Sequence, residues 1–526
     1  MLFRGPDADV SIPEIGLTPF VLRHALRLAD KPALIDGPTG RVLTYGQLAA
    51  GIRRVASGLH ARGFRKGDVF GIFSPNVPEY ALAFHAVSLL GGVSSPINPQ
   101  YTCDEVAHQL KDANARFLFT VSELREKAIE AAHRAGVREV FVLGEAEGAT
   151  PFAALLENDE DEGLPPVEIN SHDDLVALPY SSGTTGLPKG VMLTHRNLIA
   201  NLRQTEAARI INPDDTVLCV LPLYHIYGLV VILNLGLYMG ATIVTMPRFE
   251  LEGFLQILQD YEVTLAPLVP PLVLTLSKNP LVADYDLSKL RMIFSGAAPL
   301  SQVLTRACTE RIGCIIRQGY GMTETSPVTH ISPLDPAQIK AGSVGHCVPN
   351  TECKILDPSS GDALGIGEEG EICIRGPQVM KGYLNRPEAT ATTVDAEGWL
   401  HTGDIGYADE DGQLFIVDRV KELIKYKGFQ VAPAELEAIL LSHPAVADAA
   451  LIPSPDEEAG EIPKAFVVLR GVATAAELMK FVAARVAPHK KIRKLEFIEQ
   501  IPKSASGKIL RRVLVERERQ AINRSQ

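Results

Sequence analysis

The chain lacks the sequence features that are typical of secreted proteins, of proteins with structural metal sites and of nucleic-acid-binding proteins. Its seven cysteines are scattered, and no two form a Cys-x-x-Cys pair, which favours a reducing compartment and argues against a structural zinc site. The N-terminal segment lacks the basic stretch and apolar core of a signal peptide. A net charge of −12 disfavours a broad nucleic-acid-binding surface. We therefore expect a cytoplasmic protein with no nucleic-acid partner.

Long hydrophobic runs are also scarce. The longest, residues 219–240, is interrupted by proline, histidine, glycine and asparagine, so we expect a buried strand–turn–helix and no transmembrane segment. The last three residues are not a peroxisomal signal. We find no internal repeat and no low-complexity tail, and 526 residues should hold more than one domain.

What the sequence does contain is an alternation of short apolar strands with helical patterns. Strand-like runs at 68–73, 116–121 and 139–143 are separated by helices, and the alternation resumes from 216 to 318. This order indicates a parallel sheet with helices on its faces. The segments 371–375 and 413–417 indicate a more β-rich region, and an α+β pattern over 422–526 predicts a small separate domain.

The densest polar motif is the segment 180–190, Tyr-Ser-Ser-Gly-Thr-Thr-Gly-Leu-Pro-Lys-Gly. Small residues let backbone N–H groups and hydroxyls approach a phosphate closely, and Lys189 adds a positive charge. The motif is not a P-loop, because there Gly-Lys-Ser/Thr leads into a helix. By itself it fits either a phosphate-binding loop or a flexible surface turn.

Further polar clusters follow at 296–299, 318–325, 398–404, 418–430 and 502–509. Tyr320 could stack on a base, Glu324 could hold Mg²⁺, and Asp404 could accept hydrogen bonds from a ribose. Lys508 follows Ser-Gly and could swing into a site between domains. Each cluster alone also fits a polar turn or a solvated face. The G-x-G-x-x-G match at 365–370 is interpreted as a turn, because a strand follows it and not a helix.

Together, in this order and spacing, the clusters resemble the adenylate-forming superfamily of acyl-CoA synthetases, luciferases and peptide-synthetase adenylation domains. Residues 221–228, 295–300 and 425–433 are most similar to the coumarate–CoA ligase-like branch. The resemblance implies an α/β fold with a large N-terminal domain of α/β subdomains plus a β-rich subdomain, and a small mobile C-terminal α+β domain. The implied boundaries are 1–418 for the adenylation domain, 419–421 for a hinge and 422–526 for the mobile domain.

The resemblance also implies the activity. Such ligases use ATP and Mg²⁺ to convert a carboxylic acid into an acyl-AMP, release pyrophosphate, and pass the acyl group to coenzyme A. The implied partners are small molecules: the carboxylic acid, ATP and coenzyme A. The implied oligomeric state is a monomer or a homodimer. Two alternatives remain: a luciferase-like or stand-alone adenylating enzyme, and an inactive acyl-binding scaffold. The scaffold is disfavoured because Lys508, Glu324 and Asp404 are all present.

The resemblance assigns roles to individual residues. Those implied to contact ATP or AMP are Ser181, Ser182, Gly183, Thr184, Thr185, Lys189, Ala297, Gln318, Gly319, Tyr320, Thr323, Asp404, Arg419, Lys421, Lys425 and Lys508. Those implied for coenzyme A are Arg248, Lys427 and Gly428, and those for Mg²⁺ are Glu324 and Thr184. The implied acyl pocket consists of His225, Tyr227, Val231, Gly296, Gly321, Pro327 and Val328. The implied catalytic residues are Lys508, Lys425, Gln430, His225, Thr184 and Glu324.

The acyl pocket departs from the pattern of plant coumarate ligases. These commonly carry a serine where Val231 stands and a lysine where Phe294 stands. An apolar wall favours a methylene chain or an unsubstituted ring over a phenol, although Tyr227 offers one polar group. We therefore expect aryl-propenoic acids or medium- to long-chain fatty acids as substrates. Amino-acid activation is not expected, because residues 221–229 contain no acidic side chain.

Overall fold

The computed structural model describes residues 1–157, 164–181, 188–419, 422–426, 429–456, 459–504 and 507–525, with the backbone alone at 429–430 and 522–525. The strands within these ranges form three sheets. Two sheets use strands that precede residue 420, and the third uses strands from residue 424 onward.

The N-terminal sheet carries the glycine-rich segment at one edge. Its strands, in spatial order, are Tyr180–Ser181, Lys189–Thr194, Leu175–Ala177, Val93–Ile97, Val69–Phe73, Ala115–Val121, Glu139–Leu143 and Thr150–Pro151, and Gly382–Tyr383 also pairs with Lys189–Thr194. The inner strands are parallel, as the pair Val69↔Val93 shows. The helices of this part are Leu17–Val21, Tyr45–Ala61, Glu79–Leu89, Cys103–Asp112, Arg125–Ala135, Ala153–Leu156 and His195–Ala207. The predicted alternation of strands and helices is confirmed.

Local sequence signals explain where several of these helices begin. The Thr44 hydroxyl accepts the backbone N–H of Gln47, and the Gln47 side chain accepts the N–H of Thr44, so a capping box opens helix Tyr45–Ala61. Such a box satisfies two of the N–H groups that a helix start leaves unpaired. Helix Glu79–Leu89 is buried on every side, which explains why its sequence is apolar without a clear stripe.

The central sheet joins a parallel half to an antiparallel half. The parallel half consists of Pro32–Asp36, Thr242–Thr245, Thr216–Cys219, Leu265–Leu268, Met292–Ser295 and Ile315–Gly321, with Val42–Thr44 at its outer edge. The antiparallel half consists of Val328–Ile331, Ser343–Cys347, Leu414–Arg419, Leu400–Ala408, Gly370–Arg375, Glu352–Leu356 and Phe3–Arg4. The helices of this part are Leu251–Asp260, Pro270–Lys278, Gln302–Ile312 and Pro387–Thr393. The β-rich region predicted around 371–417 is confirmed.

The long apolar run at 219–240 is a buried strand–turn–helix, as predicted. Strand Thr216–Cys219 leads through a turn into a π-helical segment, Tyr227–Asn234, which continues as the helix Leu235–Met239. Every residue of the π-helical segment is buried in the core. Within the described residues, no helix combines the length and the apolar character needed to cross a bilayer.

The C-terminal sheet has an apolar core of its own. Its strands are Phe429–Val431, Ile424–Tyr426, Gly460–Leu469, Val446–Asp456 and Lys494–Phe497. Its helices are Pro433–Leu441, Ala475–Ala483 and Arg511–Ser525. Leu436, Val446, Val467 and Leu478 are completely or almost completely buried in one cluster of this sheet. The expected α/β fold, with a large N-terminal part and a smaller C-terminal domain, is therefore confirmed.

Candidate active site

The site lies where two parallel strands of the central sheet end. Strands Met292–Ser295 and Ile315–Gly321 pair in parallel, and Ser295 lies opposite Gln318. Gly296-Ala297, which follow the first strand, and Gly319-Tyr320-Gly321, which end the second, line the same cavity. Two clusters that are some twenty residues apart in sequence thus meet at one edge, where open α/β sheets bind their ligands.

Glu324 forms the first polar group of the site. It lies in the short turn after strand Ile315–Gly321 and is almost fully buried. Its Oε1 accepts hydrogen bonds from the Ser181 hydroxyl at 2.9 Å and from the Tyr383 hydroxyl at 2.8 Å. The Lys189 ammonium lies 4.8 Å from the centre of the Tyr383 ring. The base of the glycine-rich segment therefore lies beside Glu324, as the phosphate-loop prediction requires.

The glycine-rich segment begins and ends as a short antiparallel pair. Tyr180 lies opposite Gly190, and Ser181 lies opposite Lys189. The Tyr180 hydroxyl donates to Asp112 at 2.8 Å, which links this pair to the end of helix Cys103–Asp112. The residues predicted between these strands, Ser182, Gly183, Thr184 and Thr185, lie outside the described residues, as do Lys421, Lys427 and Gly428 and the side chain of Gln430.

Asp404 forms the second polar group. It is 6% exposed, accepts the Tyr320 hydroxyl at 2.7 Å and lies 3.0 Å from Arg419 Nε. Asp404 and Arg419 lie directly opposite each other on neighbouring strands, so the sheet register itself makes the ion pair. Burial opposes the positive charge of Arg419, but the carboxylates of Asp404 and then Glu422 more than offset this and raise its pKa. The arrangement can hold a ribose through Asp404 while Tyr320 flanks the cavity.

Lys508 reaches this group from the C-terminal domain. Burial lowers its pKa, and the Arg419 guanidinium lowers it further, against the opposing effect of the nearby carboxylates of Asp404, Glu422 and Glu324. Gly507, beside it, has φ of +77° and comes so close to the N-terminal part that a Cβ there would lie 3.2 Å from Pro271 Cγ. Lys508 is therefore held between the two parts of the protein, next to the Asp404–Glu324 site.

All seven residues predicted for the acyl pocket line one cavity. They share it with residues expected to contact the adenylate. Among the described residues, the lining consists of His225, Ile226, Tyr227, Val231, Phe294, Gly296, Ala297, Gly319, Tyr320, Gly321, Met322, Pro327 and Val328. Burial, with a contribution from the Lys508 ammonium, lowers the pKa of His225 to about 4. His225 is therefore a neutral imidazole near pH 7 and presents no charge to an acyl chain.

Tyr227 and Phe294 shape the inner wall of the cavity. The Tyr227 hydroxyl donates to the backbone carbonyl of Phe294 at 2.7 Å, and the two rings meet edge to face. The proton of the Tyr227 hydroxyl, the polar group expected in this pocket, is thus already donated within the protein. Glycines make room for both rings: a Cβ at Gly296 would lie 3.0 Å from Tyr227 Cε1, and one at Gly319 would lie 2.6 Å from Phe294 Cζ.

Other predicted residues are not brought to this group by the described contacts. Arg248 is exposed in the connection before helix Leu251–Asp260. Lys425 is exposed in the C-terminal sheet, where its backbone N–H donates to Glu461 at 2.7 Å, and its cross-strand neighbour is Gln430. Gln318 is buried at the sheet edge, and Thr323 lies in the turn beside Glu324.

Four residues near the site were missed by sequence reasoning. Ile226 and Met322 line the cavity, Tyr383 bonds to Glu324, and Glu422 acts on the pKa of Lys508. The neighbours of Ile226 and Met322 were already singled out, so both could have been found as part of the same motifs. Tyr383 and Glu422 carried no local signal, because their roles depend on contacts with distant residues.

Comparison with known proteins agrees with this geometry. The profile of the AMP-binding enzyme family matches residues 21–384, and that of the AMP-binding enzyme C-terminal domain matches residues 435–508. The chain belongs to the AMP-binding enzyme family. The predicted resemblance to adenylate-forming enzymes is confirmed.

Individual relatives are similar over almost their whole length. The chain is 46% identical to 4-coumarate–CoA ligase 1 of Petroselinum crispum, over 98% of this chain and 96% of the relative. It is also 46% identical to a 4-coumarate–CoA ligase of Pinus taeda, over 98% and 97%. Among solved structures, the anthranilate CoA ligase AuaEII in complex with anthranoyl-AMP superimposes with a TM-score of 0.91 at 26% identity, covering 97% of this chain and 99% of that one. ATP-bound MatB from Rhodopseudomonas palustris superimposes with a TM-score of 0.85 at 29% identity, covering 95% and 99%.

This AMP-binding enzyme is an AMP-forming acyl-CoA ligase that uses ATP, Mg²⁺ and coenzyme A. The residues present fit the metal ion. Both hydrogen bonds to the Glu324 carboxylate from the described residues end at Oε1, which leaves Oε2 for a cation. A hard cation such as Mg²⁺ prefers this kind of oxygen ligand and keeps several waters.

Proposed function

We propose that this ligase acts on aryl-propenoic acids whose ring carries few polar groups, with cinnamate as the model substrate. The cavity between Gly296 and Gly321 carries the proposal, because its inner wall is built from Val231, Phe294 and Tyr227. The Tyr227 hydroxyl donates its proton to a backbone carbonyl, so only its lone pairs remain for a phenol, and the other side chains of this wall are apolar. The 46% identity to 4-coumarate–CoA ligases supports the aryl-propenoic class.

The proposed first half-reaction is the attack of the substrate carboxylate on the α-phosphate of ATP. Two anions must approach each other, and the charges of Lys189 and Lys508 would offset their repulsion. When bound at Glu324, Mg²⁺ would neutralise charge on the phosphates. Asp404 would hold the ribose and the neutral His225 would flank the acyl group, so the residues act by positioning more than by proton transfer.

For the second half-reaction we propose that the C-terminal domain rotates about 419–421, between domains 1–418 and 422–526. Strand Leu414–Arg419 ends in the central sheet, and the first strand of the C-terminal sheet begins at Ile424, which supports a boundary here. Lys508 would leave the site, and the hairpin of Lys425 and Gln430 would approach, with Lys427, Gly428 and Arg248 contacting coenzyme A. We also propose the ATP-loop roles of Ser182, Gly183, Thr184 and Thr185 and the hinge role of Lys421.

We further propose a cytoplasmic monomer or homodimer. All seven cysteines are free, and six of them are buried, which supports a reducing compartment.

A substrate panel tests the proposal. Pyrophosphate release and coenzyme A consumption are measured with cinnamate, 4-coumarate, 3-phenylpropanoate, octanoate and acetate. We expect the largest kcat/KM for cinnamate. Activity confined to acetate, or a preference for octanoate over every aryl acid, would contradict the proposed substrate.

A matched pair of variants links the preference to the wall. Val231→Ser places a hydroxyl in the cavity, whereas Val230→Ser changes a neighbour that is equally buried but does not line it. We expect Val231→Ser to raise the kcat/KM ratio of 4-coumarate to cinnamate about tenfold, the value of one added hydrogen bond. Val230→Ser should leave this ratio unchanged. An unchanged ratio in Val231→Ser would show that this wall does not set the choice of ring.

A further inference from the structure

A group of three metal-binding side chains lies in the antiparallel half of the central sheet. Glu371 and Cys373 are two residues apart on strand Gly370–Arg375 and point to the same face. His401, on the neighbouring strand Leu400–Ala408, lies directly opposite Cys373. The strands therefore bring a carboxylate, a thiol and an imidazole together on a rigid scaffold.

The distances between these groups agree with a shared metal ion. His401 Nδ1 lies 3.0 Å from Glu371 Oε2 and 3.5 Å from Cys373 Sγ, and the three ligand atoms all lie within 4.8 Å of one another. Around a tetrahedral Zn²⁺ with bonds of about 2.0–2.3 Å, neighbouring ligand atoms lie about 3.4–3.6 Å apart. The two distances from His401 Nδ1 therefore match a tetrahedral site to within a few tenths of an ångström.

A carboxylate lies near the second nitrogen of the imidazole. His401 Nε2 faces Asp395 Oδ2 at 3.8 Å, and the other oxygen of Asp395 accepts the backbone N–H groups of Glu397 and Trp399. This separation is longer than a hydrogen bond, and it places a carboxylate on the side of the ring where metal-bound histidines commonly have one. With the proton on Nε2, the lone pair of Nδ1 is directed at Glu371 and Cys373.

We propose that Glu371 Oε2, Cys373 Sγ and His401 Nδ1 bind one Zn²⁺ ion, with water as the fourth ligand. Sulfur, nitrogen and oxygen together suit Zn²⁺ better than the Mg²⁺ of the reaction, which takes oxygen ligands. The His401 side chain is 31% exposed and that of Glu371 is 19% exposed, so solvent reaches the fourth position. On binding, the sulfur–metal bond replaces the S–H bond, and the thiol proton passes to solvent.

The site would connect metal binding to the nucleotide site through one strand. The backbone N–H of Gly403 donates to Glu371 Oε1 at 3.1 Å, and Asp404 is the next residue. An ion held by both strands would therefore fix the segment that presents Asp404. A search of the sequence for Cys-x-x-Cys pairs could not detect this site, because its ligands come from two strands.

Cobalt binding tests the proposal on the full-length protein. After removal of metal by a chelator, Co²⁺ is titrated and the absorption spectrum is recorded. We expect one Co²⁺ per chain, a thiolate-to-cobalt charge-transfer band, and bleaching of the band by Zn²⁺. Cys373→Ser should abolish the band, and His401→Gln should weaken binding at least tenfold.

Cys347→Ser is the matched control, because Cys347 Sγ also lies near a histidine nitrogen, 3.2 Å from His330 Nε2. This variant should keep the band. Circular dichroism of each metal-free variant checks that it is folded, and Cys373→Ala replaces Cys373→Ser if the latter is not. A missing band in the unmodified protein, a band that survives loss of Cys373, or one that disappears with Cys347 would overturn the proposal.

Discussion

Replacing Lys508 by alanine should separate the two half-reactions. The substitution removes the ammonium group that lies near Asp404 and Glu324 in this structure. Although desolvation lowers the pKa of Lys508, the residue is exposed to solvent, so a dielectric constant typical of the protein surface applies to its charge. At an effective dielectric constant of about 20, a charge about 4 Å from a phosphate oxygen contributes about 4 kcal/mol. The rate of adenylate formation should therefore fall about 10³-fold.

The assay measures each half-reaction alone. Pyrophosphate release from ATP and cinnamate reports the first, and thioester formation from synthetic cinnamoyl-AMP and coenzyme A reports the second. In Lys508→Ala the second rate should change less than about threefold, since the proposed rotation removes Lys508 from the site at this stage. In the unmodified protein, the first rate should fall as pH rises through the lowered pKa of Lys508, because only the charged form acts.

Lys503→Ala is the control in the same segment. Lys503 Nζ lies 2.6 Å from Asp448 Oδ2 within the C-terminal domain. Its loss should change neither half-reaction by more than about twofold, as for an ordinary exposed ion pair. If Lys508→Ala slows both half-reactions equally, the reasoning that assigns Lys508 to the first step alone is refuted.

Three further predictions rest on other contacts. Gly507→Ala should slow pyrophosphate release about tenfold and thioester formation less, because the new Cβ would press on Pro271 and the positive φ costs about 1 kcal/mol or more; equal slowing would contradict this. Glu324→Gln should raise the Mg²⁺ concentration for half-maximal pyrophosphate release at least about tenfold, and an unchanged value would exclude Glu324 as ligand. Burial lowers the pKa of His85 to about 3 and of His195 to about 4, from 6.5. Near pH 5 these two imidazoles therefore bind protons in the unfolded chain and not in the folded chain. The free energy of unfolding should thus be highest above pH 6.5 and fall by about 2 kcal/mol per histidine between pH 7 and 5. His85→Gln should show a smaller fall in Tm over this interval.

Much of the fold was predictable from the sequence because its signals are local. The strand Glu139–Leu143 has the bounds that its apolar run predicts, and Thr44 with Gln47 marks the start of its helix. The apolar run at 219–240 was assigned to a buried strand–turn–helix from its internal polar residues. Each of these features depends on residues within one or two turns of one another, so local sequence patterns are enough to predict it.

The order of motifs also identified the family. Every residue predicted for the acyl pocket lines one cavity, and Ser181, Lys189, Glu324 and Asp404 lie beside it or beside one another. What the motifs could not show is which atoms each side chain already uses. The Tyr227 hydroxyl, predicted to be a polar group in the acyl pocket, donates its proton to the carbonyl of Phe294 and keeps only its lone pairs for a substrate.

Only the tertiary structure decided the contacts between distant segments. The Asp404–Arg419 ion pair and the Cys373–His401 pair depend on the register between strands, and Gly507 meets Pro271 only because the C-terminal domain packs there. A shift of one residue in register would turn these side chains to the opposite face of the sheet. The sequence by itself thus determined the elements and the chemistry, while strand register and domain packing decided which groups meet, because they depend on the whole core at once.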